Sequence, residues 1–417
     1  MVRRLIDGKI GTLGLLVGLA SQVVSAQSLG LPASDPVSIG RSGTGVAFGT
    51  SLEAASLNPA LLVTLREPRS VYFGLGMEVQ TAEVTLATDG KTLSSSDRNR
   101  FLPALGAAWR LNDTFALGLK LDAPYQRHRE FPFESSVRFL GRTLDLDTRR
   151  VELQGAWALN PQWSVGLGAG ITQVTYASEV SVQTPNSVEF PLRQEGKANA
   201  FGYTFGFRWA LSPRWTLGGA YQGAITASPT WTAGSTGDAT QVAQPGSGKV
   251  TLPARASLGI RQRVNQFFTW ELDLRYIQGS SLELPSQPSL STSGGTLSAP
   301  TLNDQYQNGF GFSAMGEFTW SKQWAARVGI EILPALVDGA TSQPALGGSK
   351  SAGLSAGVGY KALGGELSLG YQLRQSLAQD STRIDGVWTG GVYQPTGISL
   401  RNEASGHLFS IGYKRVI

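Results

Sequence analysis

One punctuation recurs five times along this chain: an apolar residue, three short turn residues, then an aromatic. The copies are Leu111-Asn112-Asp113-Thr114-Phe115, Leu159-Asn160-Pro161-Gln162-Trp163, Leu211-Ser212-Pro213-Arg214-Trp215, Val264-Asn265-Gln266-Phe267-Phe268 and Trp320-Ser321-Lys322-Gln323-Trp324, and their starts lie 48, 52, 53 and 56 residues apart. Each copy separates two stretches of alternating polarity, so each reads as the tight end of a β-hairpin. Aromatic rings beside the turns suit the boundary between lipid tails and headgroups. Short turns at one end, long loops at the other and alternation between them describe a transmembrane β-barrel. A soluble β-sandwich also alternates, but nothing in it gathers aromatics beside the turns.

The alternation begins at Ser70, where Val71, Phe73, Leu75, Met77 and Val79 oppose Tyr72, Gly74, Gly76, Glu78 and Gln80. Fourteen such segments are predicted, near 70–86, 100–111, 114–125, 143–159, 163–183, 196–211, 215–227, 249–263, 267–279, 309–320, 324–334, 351–361, 365–374 and 404–417. An even number brings both ends of the barrel to one side. Long loops are expected over 87–99, 126–142, 184–195, 228–248, 280–308, 335–350 and 375–403. The expected fold is therefore all-β, a 14-stranded antiparallel barrel.

The faces can also be assigned. In the ninth segment Phe268, Trp270, Leu272, Leu274 and Tyr276 face lipid, while Thr269, Glu271, Asp273 and Arg275 face the lumen. The eighth segment turns Arg255, Arg261 and Arg263 inward, the tenth adds Glu317, and the eleventh adds Arg327 and Glu331. A charge facing lipid at mid-depth costs roughly 2–4 kcal/mol, which constrains the choice. The inward set either lines a conduit or forms a self-neutralising network that ties wall to contents, since buried charges need partners. Sequence does not select the pairs.

The first 26 residues read as a secretory signal: Arg3, Arg4 and Lys9, then an apolar stretch from Ile10 to Val24, then small residues at Val24-Ser25-Ala26. No later run is long and apolar enough for a membrane-spanning helix. Removal of the signal lowers the net charge from +5 to +3, too little to argue for nucleic acid. The absence of cysteine removes disulfides and thiolate metal sites. Residues 27–68 lack period-two alternation. They carry Gly40, Gly43, Gly45 and Gly49 and a predicted short helix over 51–57 that ends near Asn58-Pro59. The expected organisation is a signal over 1–26, a compact segment over 27–68 and a barrel over 69–417.

Four stretches resemble the FadL (OMPP1/FadL/TodX) family of outer-membrane transporters for long-chain fatty acids and other hydrophobic compounds. They are the glycine-rich segment running into Ala54-Ala55-Ser56-Leu57-Asn58-Pro59-Ala60-Leu61, Phe101 to Tyr125 with its ending Leu121-Asp122-Ala123-Pro124-Tyr125, Leu252-Pro253-Ala254-Arg255-Ala256-Ser257-Leu258-Gly259-Ile260, and Trp324 to Pro334. The resemblance implies a plug over residues 27–68 with Asn58, Pro59 and Ala60 at its heart. It implies capture of a hydrophobic ligand by outer loops and sideways release into the membrane at a kinked third strand, here Ala123, Pro124 and Tyr125. Proline donates nothing to a ladder, so Pro124 either weakens pairing or marks an ordinary strand end. The chain departs from the family at Tyr125-Gln126, where glycine is usual, in a short 184–195 loop, and in a terminus without phenylalanine.

Arg127, His128 and Arg129, followed by Phe131 and Phe133, offer a basic pair beside aromatics for a carboxylate head and an acyl chain. The alternative is a solvated loop, or one that binds lipopolysaccharide phosphates. Catalysis finds little support: His128 and His407 are the histidines, and no motif flanks His407 on its lipid-facing strand. No metal-ligand spacing or phosphate loop is present, so no cofactor is expected. The expectation is a monomer among outer-membrane lipid and lipopolysaccharide that passively takes up fatty acids or similar molecules. A scaffold in an envelope complex is the alternative.

Overall fold

The structure is a computed structural model that describes residues 34–49, 55–65, 67–86, 90–135, 137–183, 188–235, 242–292, 295–298, 306–337, 344–362, 364–389 and 392–417. The predicted signal and most of the predicted 51–57 helix lie outside the described residues. Fourteen antiparallel strands close into a barrel. They are β1 (Arg69–Leu86), β2 (Arg100–Arg110), β3 (Phe115–Asp122, resuming as Gln126–Glu130), β4 (Thr143–Ala158), β5 (Trp163–Gln183), β6 (Glu189–Ala210), β7 (Trp215–Gln222), β8 (Arg255–Arg263), β9 (Phe268–Ile277), β10 (Gly309–Thr319), β11 (Trp324–Leu333), β12 (Ser351–Ala362), β13 (Gly365–Ser376) and β14 (Val392–Val416). Closure comes from β1 against β14, in register from Ser70↔Val416 to Leu86↔Leu400.

The recurrent turns share one mechanism. The second residue of each, Asn112, Asn160, Ser212, Asn265 or Ser321, turns its side-chain oxygen back onto backbone N–H groups two and three residues on. In the first, Asn112 Oδ1 accepts from Thr114 and Phe115 at 2.8 Å each. These are Asx and Ser turns, which fix hairpin register. The adjoining aromatics form a belt of stacked, tilted or edge-on pairs: Phe115–Trp157 at 5.8 Å, Trp163–Trp209 at 4.7 Å, Trp215–Trp270 at 5.7 Å, Phe268–Phe318 at 4.4 Å and Trp324–Tyr360 at 4.5 Å. The predicted faces of β9 and β11 hold. Leu272, Leu274, Val328 and Ile330 are exposed to the lipid side, and Glu271, Asp273, Arg327 and Glu331 are buried within.

Several boundaries differ from expectation. β6 begins at Glu189, so most of 184–195 is strand, paired with β5 down to Gln183↔Glu189. β14 begins at Val392 and forms a hairpin with Gln379–Thr389, so 375–403 is largely sheet. The seventh and eighth segments are shorter in the wall. Ile225–Ala227 and Val250–Leu252 leave it to pair with each other, and Pro253, without an N–H, separates the second from β8. Arg263, expected inward, is exposed at the turn end of β8.

At about 3.3 Å per residue, β5 and β6, with 21 and 22 residues, far exceed the roughly 9–11 needed to cross a bilayer. Their upper halves and the loops enclose an apolar core that includes Tyr125, Leu146, Val174, Tyr176, Ile225, Leu252 and Val337. The end of the lumen nearer the tight turns is filled differently, by residues 34–49 and 55–65.

Candidate functional site: a filled lumen beside a broken wall

The N-terminal segment makes two capped turns inside the barrel. α1 (Pro36–Ile39) is capped by Asp35, whose carboxylate accepts from Ser38 N at 2.8 Å. A 3₁₀ turn over Pro59–Thr64 is capped by Asn58, whose Oδ1 accepts from Ala60 N at 3.0 Å. Both use an Asx-Pro pair, in which the side chain caps the turn and proline presets the first helical φ. Asn58-Pro59 is the pair singled out in the sequence; Asp35-Pro36 carries the same signal. Asn58 also donates to Val46 O at 2.7 Å and to Phe207 O on β6 at 2.9 Å, and so ties the 3₁₀ turn to the loop that follows α1 and to the wall.

The wall admits this backbone because it lacks side chains where the two touch. A Cβ added at Gly166 would lie 2.4 Å from Ala60 N, one at Gly218 2.3 Å from Val46 O, one at Gly329 2.5 Å from the Arg41 carbonyl carbon, and one at Gly370 2.4 Å from Pro36 O. These glycines sit on β5, β7, β11 and β13, so the segment meets the barrel on several sides.

The inward charges resolve into pairs. Glu317 accepts from Arg41 of the N-terminal segment and from Arg327 at 2.8 Å, and Arg327 reaches Glu366 at 2.9 Å. Glu331 accepts from Arg374 at 2.6 Å and from Arg275 at 3.3 Å, while Arg275 also donates to Ser42 O at 3.0 Å. Among the described residues no arginine hydrogen-bonds Glu271 or Asp273. Glu271 accepts Ala47 N at 2.6 Å, and Asp273 accepts Gly45 N at 3.0 Å and Val46 N at 3.3 Å. Arg261 lies 4.0 Å over the Phe48 ring and Arg255 4.2 Å over the Tyr125 ring. Arg41, Glu366 and Arg374 complete the network but were not singled out from sequence. A second group, Lys120, Asp122, Arg150 and Glu152, also escaped notice; Arg150 grips Asp122 with two bonds of 2.9 and 2.8 Å.

Beside this group the wall is interrupted. β2 pairs with β1 along its length, from Arg69↔Trp109 to Glu78↔Arg100, but with β3 only from Arg110↔Ala116 to Leu105↔Leu121. Above that point no strand pairs with Arg100–Ala104 on the β3 side among the described residues. On β4, Asp122 faces Arg150 and Gln126 faces Asp147, so β3 carries one extra residue across Ala123-Pro124-Tyr125. Thr148 fills the bulge, donating to Tyr125 O at 2.7 Å and accepting Tyr125 N at 2.9 Å. The gap ends above at a Ser96 N to Glu130 O bond of 2.8 Å and an Arg129–Asp97 ion pair at 3.7 Å. From within, Ile39 of α1 packs against Leu102 and Ala123 on the two lips of the gap, together with Leu408. A cavity of about 90 Å³ adjoins it, lined by Asp122, Pro124, Tyr125, Val46, Asp273 and Arg275 among others.

The basic-aromatic cluster is not a solvated loop. Residues 126–130 are strand, and Arg127, His128 and Arg129 are buried, with Arg129 donating to Pro344 O at 2.9 Å and His128 bound to Asp145. The cluster is also divided. Phe131 belongs to an apolar cluster with Val84, Leu86, Leu93, Val137 and Leu140, beside α2 (Arg138–Gly141), whereas Phe133 is exposed. His407 is on the outer face, its Nδ1 2.9 Å from the Tyr371 hydroxyl.

The sequence model of the outer membrane protein transport protein (OMPP1/FadL/TodX) family matches residues 17–415. The chain belongs to this family. It is an outer-membrane barrel, and the family and fold are those of channels for hydrophobic molecules. Among characterised relatives, a long-chain fatty acid transport protein of Escherichia coli O6:H1 is 26% identical over 190 residues, 39% of this chain and 42% of that protein. That of Salmonella typhi is 29% identical over 121 residues, 27% of this chain and 26% of that protein. These alignments span less than half of the relatives' length. The fold is similar to a Pseudomonas aeruginosa FadL homologue (TM-score 0.75, 16% identity, 94% of this chain and 100% of that one) and to the Pseudomonas putida toluene transporter TodX (TM-score 0.71, 14% identity, 93% and 99%).

Proposed function

We propose that this chain imports long-chain fatty acids or similar hydrophobic molecules passively: outer loops capture the ligand, the plug of residues 27–68 shifts, and the ligand leaves sideways through the β3 gap. One observation carries the reading: the two lips of the gap, Leu102 and Ala123, are stoppered from inside by Ile39 of the plug. A greasy molecule in the apolar outer core meets a charged, filled lumen below and a gap in the wall beside it. Burying apolar surface stabilises by about 25 cal/mol per Å², so exit into lipid keeps that gain where exit into water would forfeit it. The cavity of about 90 Å³ is smaller than the roughly 300 Å³ at which ligand pockets begin. That small volume supports a closed state in which passage would require the plug to move.

The test is uptake of a labelled long-chain fatty acid by a Gram-negative host that lacks its own transporter and expresses this chain, beside a variant without residues 27–60. The reading expects uptake by the full chain that changes when the plug is removed. A folded barrel that takes up nothing, or whose uptake is indifferent to the plug, contradicts it.

A further inference from the structure

Glu271 and Asp273 sit two residues apart on the lumen face of β9, each at most 1% exposed. Two adjacent carboxylates repel, and burial removes the water that would screen them. Partners are therefore needed, and the wall supplies few. Arg275 is bound to Glu331, Ser313 and Ser42 O. Arg41 and Arg327 meet on Glu317, Arg327 also holds Glu366, and Arg374 holds Glu331. Arg261 faces Glu271 across the β8–β9 ladder, yet its guanidinium lies on the Phe48 ring. What the pair receives instead is plug backbone, through the amides of Gly45, Val46 and Ala47. Glu271 Oε2 and Asp273 Oδ1 have no hydrogen-bond partner among the described residues, so a proton has a place to add on either group.

We propose that Glu271 and Asp273 form a proton-controlled clasp on the plug: ionised, the pair holds the backbone of residues 45–47 against β9; protonated, it lets that backbone go. Hydrogen bonds to an ionised acceptor are roughly twice as strong as neutral ones, so protonation weakens three plug–wall bonds together. Asp273 and Val46 also line the cavity, which places the clasp beside the space a ligand would enter. The proposal deepens the reading of residues 27–68 as a movable plug. Glu271 and Asp273 are positioning residues in it, acting through the plug backbone.

Hydrogen–deuterium exchange of the full barrel in lipid nanodiscs, followed at the amides of residues 45–47, tests this. After correction for the intrinsic pH dependence of exchange, the wild-type amides should exchange about tenfold faster or more at about pH 4.5 than at about pH 7.5. The double variant Glu271→Gln with Asp273→Asn should exchange rapidly at both, with no pH step. Should it fail to insert, Asp273→Asn alone serves, since it removes the charge facing Gly45 and Val46. A flat wild-type profile, or a variant that keeps the wild-type step, overturns the clasp. Fatty acid uptake in the same host separates the two ideas. Plug-dependent uptake with flat exchange leaves the transport reading and removes the clasp; a pH step in exchange with plug-independent uptake does the reverse.

Discussion

The β9–β11 wall and the β2–β3 wall are built from the same alternating strands and behave differently. β9, β10 and β11 pair without interruption, from Ile277↔Gly309 through Thr319↔Ala325. Their lumen faces carry Glu271, Asp273, Arg275 and Glu317, which hold the plug. The β2–β3 wall loses its ladder above Leu105↔Leu121, and its inner lips are apolar. A continuous ladder satisfies every backbone group and can bear a rigid charge network. A ladder broken by proline leaves Arg100–Ala104 without a strand on one side, and what covers that edge can be removed without breaking sheet. In the proposed function one wall anchors and the other yields.

The largest expected effect comes from making the plug as fixed as the anchoring wall. Ser42 Oγ and Ser355 Oγ are 2.9 Å apart, and the chain has no cysteine. Paired Ser42→Cys and Ser355→Cys substitutions should form a disulfide that reduces fatty acid uptake to background, with recovery after reductant. Uptake by the oxidised protein would show that the plug need not move. The next effect comes from repairing the yielding wall. Deletion of Pro124 removes the extra residue and should let β3 run continuously beside β4, cutting uptake about tenfold while the heat-modifiable gel shift of a folded barrel persists. An unchanged rate would mean that the gap is not the exit. Asn58→Ala removes three plug bonds and should destabilise the plug by about 1–3 kcal/mol, read as faster amide exchange over residues 59–64 with barrel strands unaffected. The smallest effect lies far from both walls' function. Trp209→Leu loses the Trp163 stack and should lower barrel stability by about 0.5–1.5 kcal/mol without altering uptake.

The anchoring wall was largely legible in the sequence and the yielding one was not. Period-two alternation states which residues of β9 and β11 face inward, because a misplaced charge in lipid is costly. It does not state what they touch. Whether Glu271 meets an arginine or a plug amide depends on the register of β8 to β10 and on where a non-repeating segment lies inside the barrel. Pro124 announced a weakness in β3, but proline at a strand end looks the same as proline at a bulge until the β4 partners are known. The resumption at Gln126 was hidden because Arg127, His128 and Arg129 in sequence resemble a solvated loop; burial by the 344–348 segment reverses that. The 189–195 extension of β6 does alternate, Phe190 and Leu192 against Glu189 and Arg193, but Pro191 inside the run reads in sequence as a strand breaker. Alternation places Gly166 and Gly218 on the lumen face, but it carries no sign that plug backbone lies against them.

The central claim is that the ligand leaves through the β3 wall and not along the barrel axis. The most direct measurement is photocrosslinking of a long-chain fatty acid that carries a photoreactive group along its tail, during uptake, followed by mapping of the modified residues. The account predicts adducts on the apolar outer core and on both lips of the gap, at Phe101 to Ala104 and Ala123 to Tyr125. Adducts that bypass the lips and run down the plug face, at Val46, Phe48 and Arg261, would contradict it.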